Sequence, residues 1–240
     1  MSHTGEKALV TTASAVVAAV LAFAAGPTVR SDRPARNAKA GKEYSVPVDI
    51  RGKKVEYLAK EGKAVFTGNV VVTRGTSVLV SDELVTFKDS NEAIARGHVL
   101  YRDTERKLDL SCAEAHYEHG LKQMTAKGEC HLTVGEKGDE SVVTADRMEV
   151  FTDNKEAVAN GNVRIMQGDN EARCVTARLY GNEDRVVLTG RPVLRRPPHE
   201  FVCDEAVTYF KAGRTILTGN VKGRLHTAKL DDLKPGTGGK

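Results

Sequence analysis

The sequence predicts an all-β protein: a folded antiparallel meander that forms a flattened β-jelly-roll from two-strand repeats of about 29 residues. Three observations predict it. A glycine followed closely by a small apolar residue recurs as Gly68-Asn69-Val70, Gly97-His98-Val99, Gly128-Glu129-Cys130, Gly161-Asn162-Val163, Gly190-Arg191-Pro192-Val193 and Gly219-Asn220-Val221, at glycine spacings of 29, 31, 33, 29 and 29 residues. An aromatic residue (Phe87, Tyr117, Phe151, Tyr180, Tyr209) stands ten or eleven residues before each glycine from Gly97 onward. Around each glycine the apolar residues alternate with period two, and no long stretch beyond the N-terminal segment keeps a helical period.

Residues 1–25 read as a secretory signal peptide. The uncharged run Ala8 to Ala25 follows Lys7 and contains the small-x-small site Ala22-Phe23-Ala24. The rival reading is a retained anchor, although eighteen residues rich in alanine are the lower limit for a span. Residues 26–43 form a flexible polar linker, basic around Arg30 to Arg36, and residues 44–227 the β domain. Within it each unit has a turn: Asp89-Ser90-Asn91, His119-Gly120, Asp153-Asn154, Gly181-Asn182 and Ala212-Gly213. On the parity of the glycine lie Ala64, Phe66, Val70, Val72, Met124, Ala126, Cys130, Leu132, Ala157, Ala159, Val163 and Ile165; the other parity is mainly polar.

A glycine inside every strand points to a shared crease, so each strand contributes to two facing sheets. Eleven or twelve such strands give a body roughly 50–55 Å long. The tail 228–240 is glycine-rich near its end and reads as disordered.

Composition narrows the function. The chain is 40% hydrophobic and 28% charged, enough to bury a core. A net charge of +4 falls short of a nucleic-acid binder. No G-x-S-x-G elbow, H-E-x-x-H helix or P-loop is present, and Asp82, Asp146 and Asp204 recur by position, which suits a turn or crease role rather than catalysis. The expectation is a non-enzyme without cofactor or metal.

The four cysteines read as small core filler and free buried thiols. Cys112 falls five residues before its aromatic, in the position of these aspartates. Cys174 and Cys203 precede that position, where other units have Ser81, Ser111 and Ala145, and Cys130 takes the post-glycine slot. An intervening strand would hold Cys174 and Cys203 roughly 10 Å apart, too far for a disulfide. His98, His116, His119, His131, His199 and His226 read as solvated.

The run Lys63 to Thr76 (KAVFTGNVVVTRGT) with Val80 to Leu84 resembles the opening of the LptA/OstA family, the organic-solvent-tolerance-like periplasmic proteins of lipopolysaccharide transport. Tyr180 to Gly190 and Tyr209 to Val221 repeat the pattern, and Val46 to Ile50 matches its lead-in strand. The likeness spans about residues 44 to 227. It implies a periplasmic β-jelly-roll bridge that carries lipopolysaccharide from inner to outer membrane. Pro192 departs from the pattern and predicts an interrupted or bulged strand, because proline cannot donate to a ladder.

The bridge reading makes the interior an apolar trough for acyl chains, lined by Phe66, Val70, Val72, Leu84, Val99, Met148, Val163, Ile165, Leu217 and Val221. A solidly packed core is the alternative. Arg74, Arg102, Arg164, Arg195 and Arg196 are candidates for the headgroup phosphates of an anionic lipid, or else solubilising charges. A meander that does not close leaves two edges, which suit edge-to-edge contact with related jelly-roll domains at each membrane and head-to-tail self-association. The other functional readings are an inner-membrane-anchored, LptC-like subunit of the same pathway and a structural scaffold that binds no ligand.

Overall fold

The strands follow the alternation. In the computed structural model the described residues are 48–118, 121, 123–138, 140–151, 154–209 and 212–225; the expected signal segment, linker and tail lie outside them. These residues form β1 (Asp49–Arg51), β2 (Lys54–Leu58), β3 (Lys63–Arg74), β4 (Ser77–Phe87), β5 (Glu92–Asp103), β6 (Leu108–Glu118), β7 (Gln123–Val134), β8 (Ser141–Phe151), β9 (Glu156–Gln167), β10 (Asn170–Tyr180), β11 (Arg185–Thr189), β12 (Val193–Arg196), β13 (His199–Val202), β14 (Glu205–Tyr209), β15 (Arg214–Thr218) and β16 (Lys222–Arg224). All pair in one open antiparallel sheet.

Every long strand is bent at the predicted crease. Each ladder from β3 to β10 skips register there, as between Thr67 and Val70 or between Thr144 and Arg147. The crease divides the sheet into two layers. In the first, β10 pairs β12 through Glu171 to Arg173; in the second it pairs β11 through Thr176 to Tyr180. At the other end β3 pairs β1 through Val71 to Thr73 and β2 through Lys63 to Thr67.

The short strands β1/β2, β11/β12, β13/β14 and β15/β16 are therefore single folded strands interrupted at the crease. Counted so, the sixteen described strands reduce to 16 − 4 = 12, within the expected number. The interruption expected at Pro192 is the gap between β11 and β12, where Pro192 is fully buried.

The crease has a chemical basis. Gly161 and Asn162 both have positive φ, 76° and 48°, and the same pair of left-handed residues recurs at Gly97 and His98. Glycine adopts that conformation freely, and asparagine and histidine tolerate it better than most residues. A β-carbon at Gly161 would lie 2.2 Å from Asp146 Oδ2, and one at Gly97 2.3 Å from Asp82 Oδ2. The aspartate of the preceding strand thus lies over the glycine and binds the residue after it. Asn162 Nδ2 donates to both Asp146 oxygens at 3.2 and 3.0 Å, Asn220 Nδ2 donates to Asp204 at 2.8 Å, and His98 Nδ1 lies 2.7 Å from Asp82. The recurring aspartates are crease residues.

The register corrects one assignment. Ala113, not Cys112, lies against the glycine of its unit, Gly128. Tyr117 is displaced by one position, so counting back from the aromatic misplaces the slot. Cys112 takes the inward place before it, equivalent to Ser81, Ala145, Cys174 and Cys203, and Ser111 does not. This inward row is the tightest part of the core: Val70, Val99, Cys130 and Val163 are buried beside it.

Candidate functional site

Residues of both layers join one hydrophobic cluster, yet the layers do not meet everywhere. Between them lies an apolar trough of about 600 Å³ including its open mouth. Leu110, Leu132 and Val143 line it from the first layer; Met124, Ala126, Met148, Val150, Ala157, Ala159, Ala177, Leu179 and Val186 line it from the second. Glu149 is the one charged residue bordering it. The alanines make the hollow: opposite Leu132 and Leu110 they leave space that larger side chains would fill. Its wall, almost wholly carbon, suits an extended apolar ligand.

Of the ten interior residues expected to meet lipid, Met148 lines this trough. Val70, Val99 and Val163 are packed into the crease and present no free surface, and Leu84 and Ile165 are buried in the core. Phe66, Val72 and Leu217 are partly buried against that core. Val221 is not interior: it is 49% exposed just before edge strand β16, because the chain beyond the crease at Gly219 runs along an edge that no further described strand covers. Met124, Ala126, Leu132, Ala157 and Ala159 stood on the apolar parity; what the alternation lacked was the distinction between crease-filling and trough-lining positions.

The arginines divide likewise. Arg102 Nε binds Asp109 at 2.6 Å across the hairpin, and Arg164 pairs with Glu171, which also binds Arg173 at 2.7 Å. Burial raises the Glu171 carboxyl, but bonds from Arg173 and Arg164 outweigh it and hold the group below its ordinary range. Both charges point outward and are already compensated. Arg74 and Arg196 follow Val72 and Leu194 on the inward parity, at the end of the first layer away from the crease. Neither they nor the exposed Arg195 has an ion-pair partner among the described residues.

The four cysteines are buried thiols. Burial pushes Cys174 up to about 12, so the fold favours its neutral form. A raised folded pKa contributes stability that is complete below the unfolded value, near 9, and is lost as pH climbs towards 12. The melting temperature of the wild type should therefore fall more steeply between pH 9 and 11 than that of Cys174→Ala, as thermal unfolding monitored by circular dichroism would show. Equal slopes would contradict this account.

His98 is solvated, whereas His116 is not: its side chain is half-buried 3.5 Å from Glu92 and 3.4 Å from Glu118. His119 and His226 lie outside the described residues. Among the described residues no cluster of three metal-ligating side chains occurs, and no helix is long and apolar enough to cross a membrane.

These features define a β-jelly-roll built from creased two-strand units around an apolar trough, open at both edges among the described residues. The family model described as "LptA/(LptD N-terminal domain) LPS transport protein" matches residues 49–173, and the chain belongs to that family. The family is one of lipopolysaccharide transport proteins, not of enzymes. Among solved structures, LptH, the LptA-homologous periplasmic component of the lipopolysaccharide transport device of Pseudomonas aeruginosa, is 14% identical, with 76% of this chain and 96% of that chain covered and a TM-score of 0.25. No curated protein matches.

Proposed function

We propose that the protein is a non-catalytic periplasmic bridge that binds lipopolysaccharide by its acyl chains and passes it between the inner and outer membranes. The observation that carries this reading is the apolar trough between the two layers. Each methylene buried there contributes about 0.8 kcal/mol, so a few partly buried chains suffice for capture. A lining of similar carbon surface throughout holds a chain without one deep minimum, as a conduit requires. The edges left unpaired among the described residues support joining to related jelly-roll domains on either side. At the N-terminal edge, β2 exposes Val55 and Tyr57; at the other, Val221 and Leu225 flank β16.

Headgroup phosphates fall to Arg74 and Arg196, the two inward-parity arginines without partners. Arg74→Gln with Arg196→Gln should weaken binding of anionic lipid roughly tenfold at low salt and less at high salt. Arg102→Gln and Arg164→Gln should leave it unchanged. Fluorescence titration with labelled lipopolysaccharide would measure all four substitutions; equal losses would refute the assignment. The reading as a whole is tested by size-exclusion chromatography of protein mixed with that lipid. Co-elution in the protein peak supports it, and complete separation into protein and lipid aggregates opposes it.

A further inference from the structure

We propose that Cys112 and Cys130, free thiols in this structure, are oxidised in the exported protein to an intramolecular disulfide that clamps β6 to β7 at the crease. The ladder between these strands keeps one register from Leu108↔Val134 to Ser111↔His131. Cys112 and Cys130 are the residues immediately beyond that last pair, where the register begins to shift towards Glu114↔Lys127. Ala113, the next residue of β6, already lies over Gly128, so the extra residue of β7 falls beyond Cys130 and leaves the two cysteines adjacent across the strands. Directly opposed residues of an antiparallel pair have Cα atoms about 4.5 or 5.5 Å apart. Both distances fall within the range of about 4.4–6.8 Å that a disulfide spans. Both side chains are buried. They are close enough that charge on Cys130 opposes ionisation of Cys112.

The other two cysteines have no such partner. Cys174 faces Val163. The registers of β10 with β12 and of β12 with β13 set Pro192 between Cys174 and Cys203.

The oxidant is a protein disulfide of the thiol–disulfide oxidoreductase class, so the proposal rests on the exported location argued above. The thiolate of one cysteine attacks that disulfide and releases one of its thiols. The thiolate of the second attacks the mixed disulfide, which forms the Cys112–Cys130 bond and leaves the oxidant as a dithiol. The two protons lost by the cysteines end on that dithiol. After folding, burial pushes Cys112 up to about 12 and Cys130 to about 11. Protonated, enclosed thiols do not exchange. The bond therefore forms before the layers close, and once closed they protect it from reduction.

Two samples test the proposal. Full-length protein recovered from the periplasmic fraction without reductant, then denatured and treated with a maleimide mass tag, should take up two tags; after reduction it should take up four. Cys112→Ser should take up three without reduction, and peptide mapping should find the Cys112 and Cys130 peptides linked. Protein denatured, reduced and refolded in a glutathione redox buffer should regain the same link, which separates the geometry from the location. Four tags on both samples, or a link through Cys174 or Cys203, would overturn the proposal. Four tags on the first sample alone would show that the clamp is not made in the cell, and would overturn it there.

Discussion

Gly161→Ala is expected to cost about 2–5 kcal/mol and to lower the melting temperature by roughly 10 °C. Two effects add. A non-glycine residue in the left-handed region costs about 1–2 kcal/mol, and Gly161 sits at φ 76°. The new β-carbon also meets Asp146 at its oxygen (2.2 Å), Cγ (2.8 Å) and Cβ (3.0 Å), and relieving such overpacking typically costs about 1–3 kcal/mol. Gly168 separates the two: its φ is also positive, at 52°, but a β-carbon there meets nothing within 4 Å. Gly168→Ala should show the backbone cost alone. Asp146→Ala in the Gly161→Ala background should recover part of the loss, although alone it costs about 1 kcal/mol by leaving Asn162 without its acceptor. Chemical denaturation of the four proteins closes the cycle, and strictly additive losses would mean that the aspartate does not constrain the crease.

Ala159→Phe is expected to leave the fold in place and to reduce lipopolysaccharide affinity roughly 100-fold. Ala159 lines the trough and is partly buried against the core, so a phenyl ring there enters the hollow and not a packed wall. Displacing about four methylenes of acyl chain at about 0.8 kcal/mol each removes some 3 kcal/mol of binding. Met148→Ala lines the same trough but widens it and keeps it apolar, so it should bind within a few-fold of wild type. Equilibrium titration with labelled lipid, paired with thermal melts, distinguishes a blocked trough from an unfolded variant. Unchanged affinity in a folded Ala159→Phe protein would mean that lipid does not enter between the layers.

Much of the fold was legible because one local device is repeated. Each crease glycine and its left-handed successor form a local pair whose spacing marks every crease, and at Gly97, Gly161 and Gly219 an aspartate of the preceding strand lies over it. The same regularity set the limits. Tyr117 slips by one position against its glycine, and only the pairing of Cys112 with Val99 and the place of Ala113 over Gly128 show that Cys112 faces inward. The apolar parity named the residues inside, but whether a valine fills the crease, as Val163 does, or borders empty space, as Val143 does, depends on how far the layers diverge around it. Val221 kept the parity of its equivalents and still lies exposed, because burial at an edge depends on the next strand and no described strand follows β16. Alternation already set Arg74 on the inward parity and Arg164 on the outward one, but it could not show that Arg164 is compensated across its hairpin by Glu171.

Site-specific photo-crosslinking in living cells puts the trough to its most direct test. A benzoylphenylalanine at Met148 or Leu132 faces the interior, while one at the neighbouring Arg147 or His131 faces solvent. Lipopolysaccharide adducts at the first two and none at the second two are the predicted result. Adducts at none of the four, or equally at all of them, would contradict a lipid path between the layers.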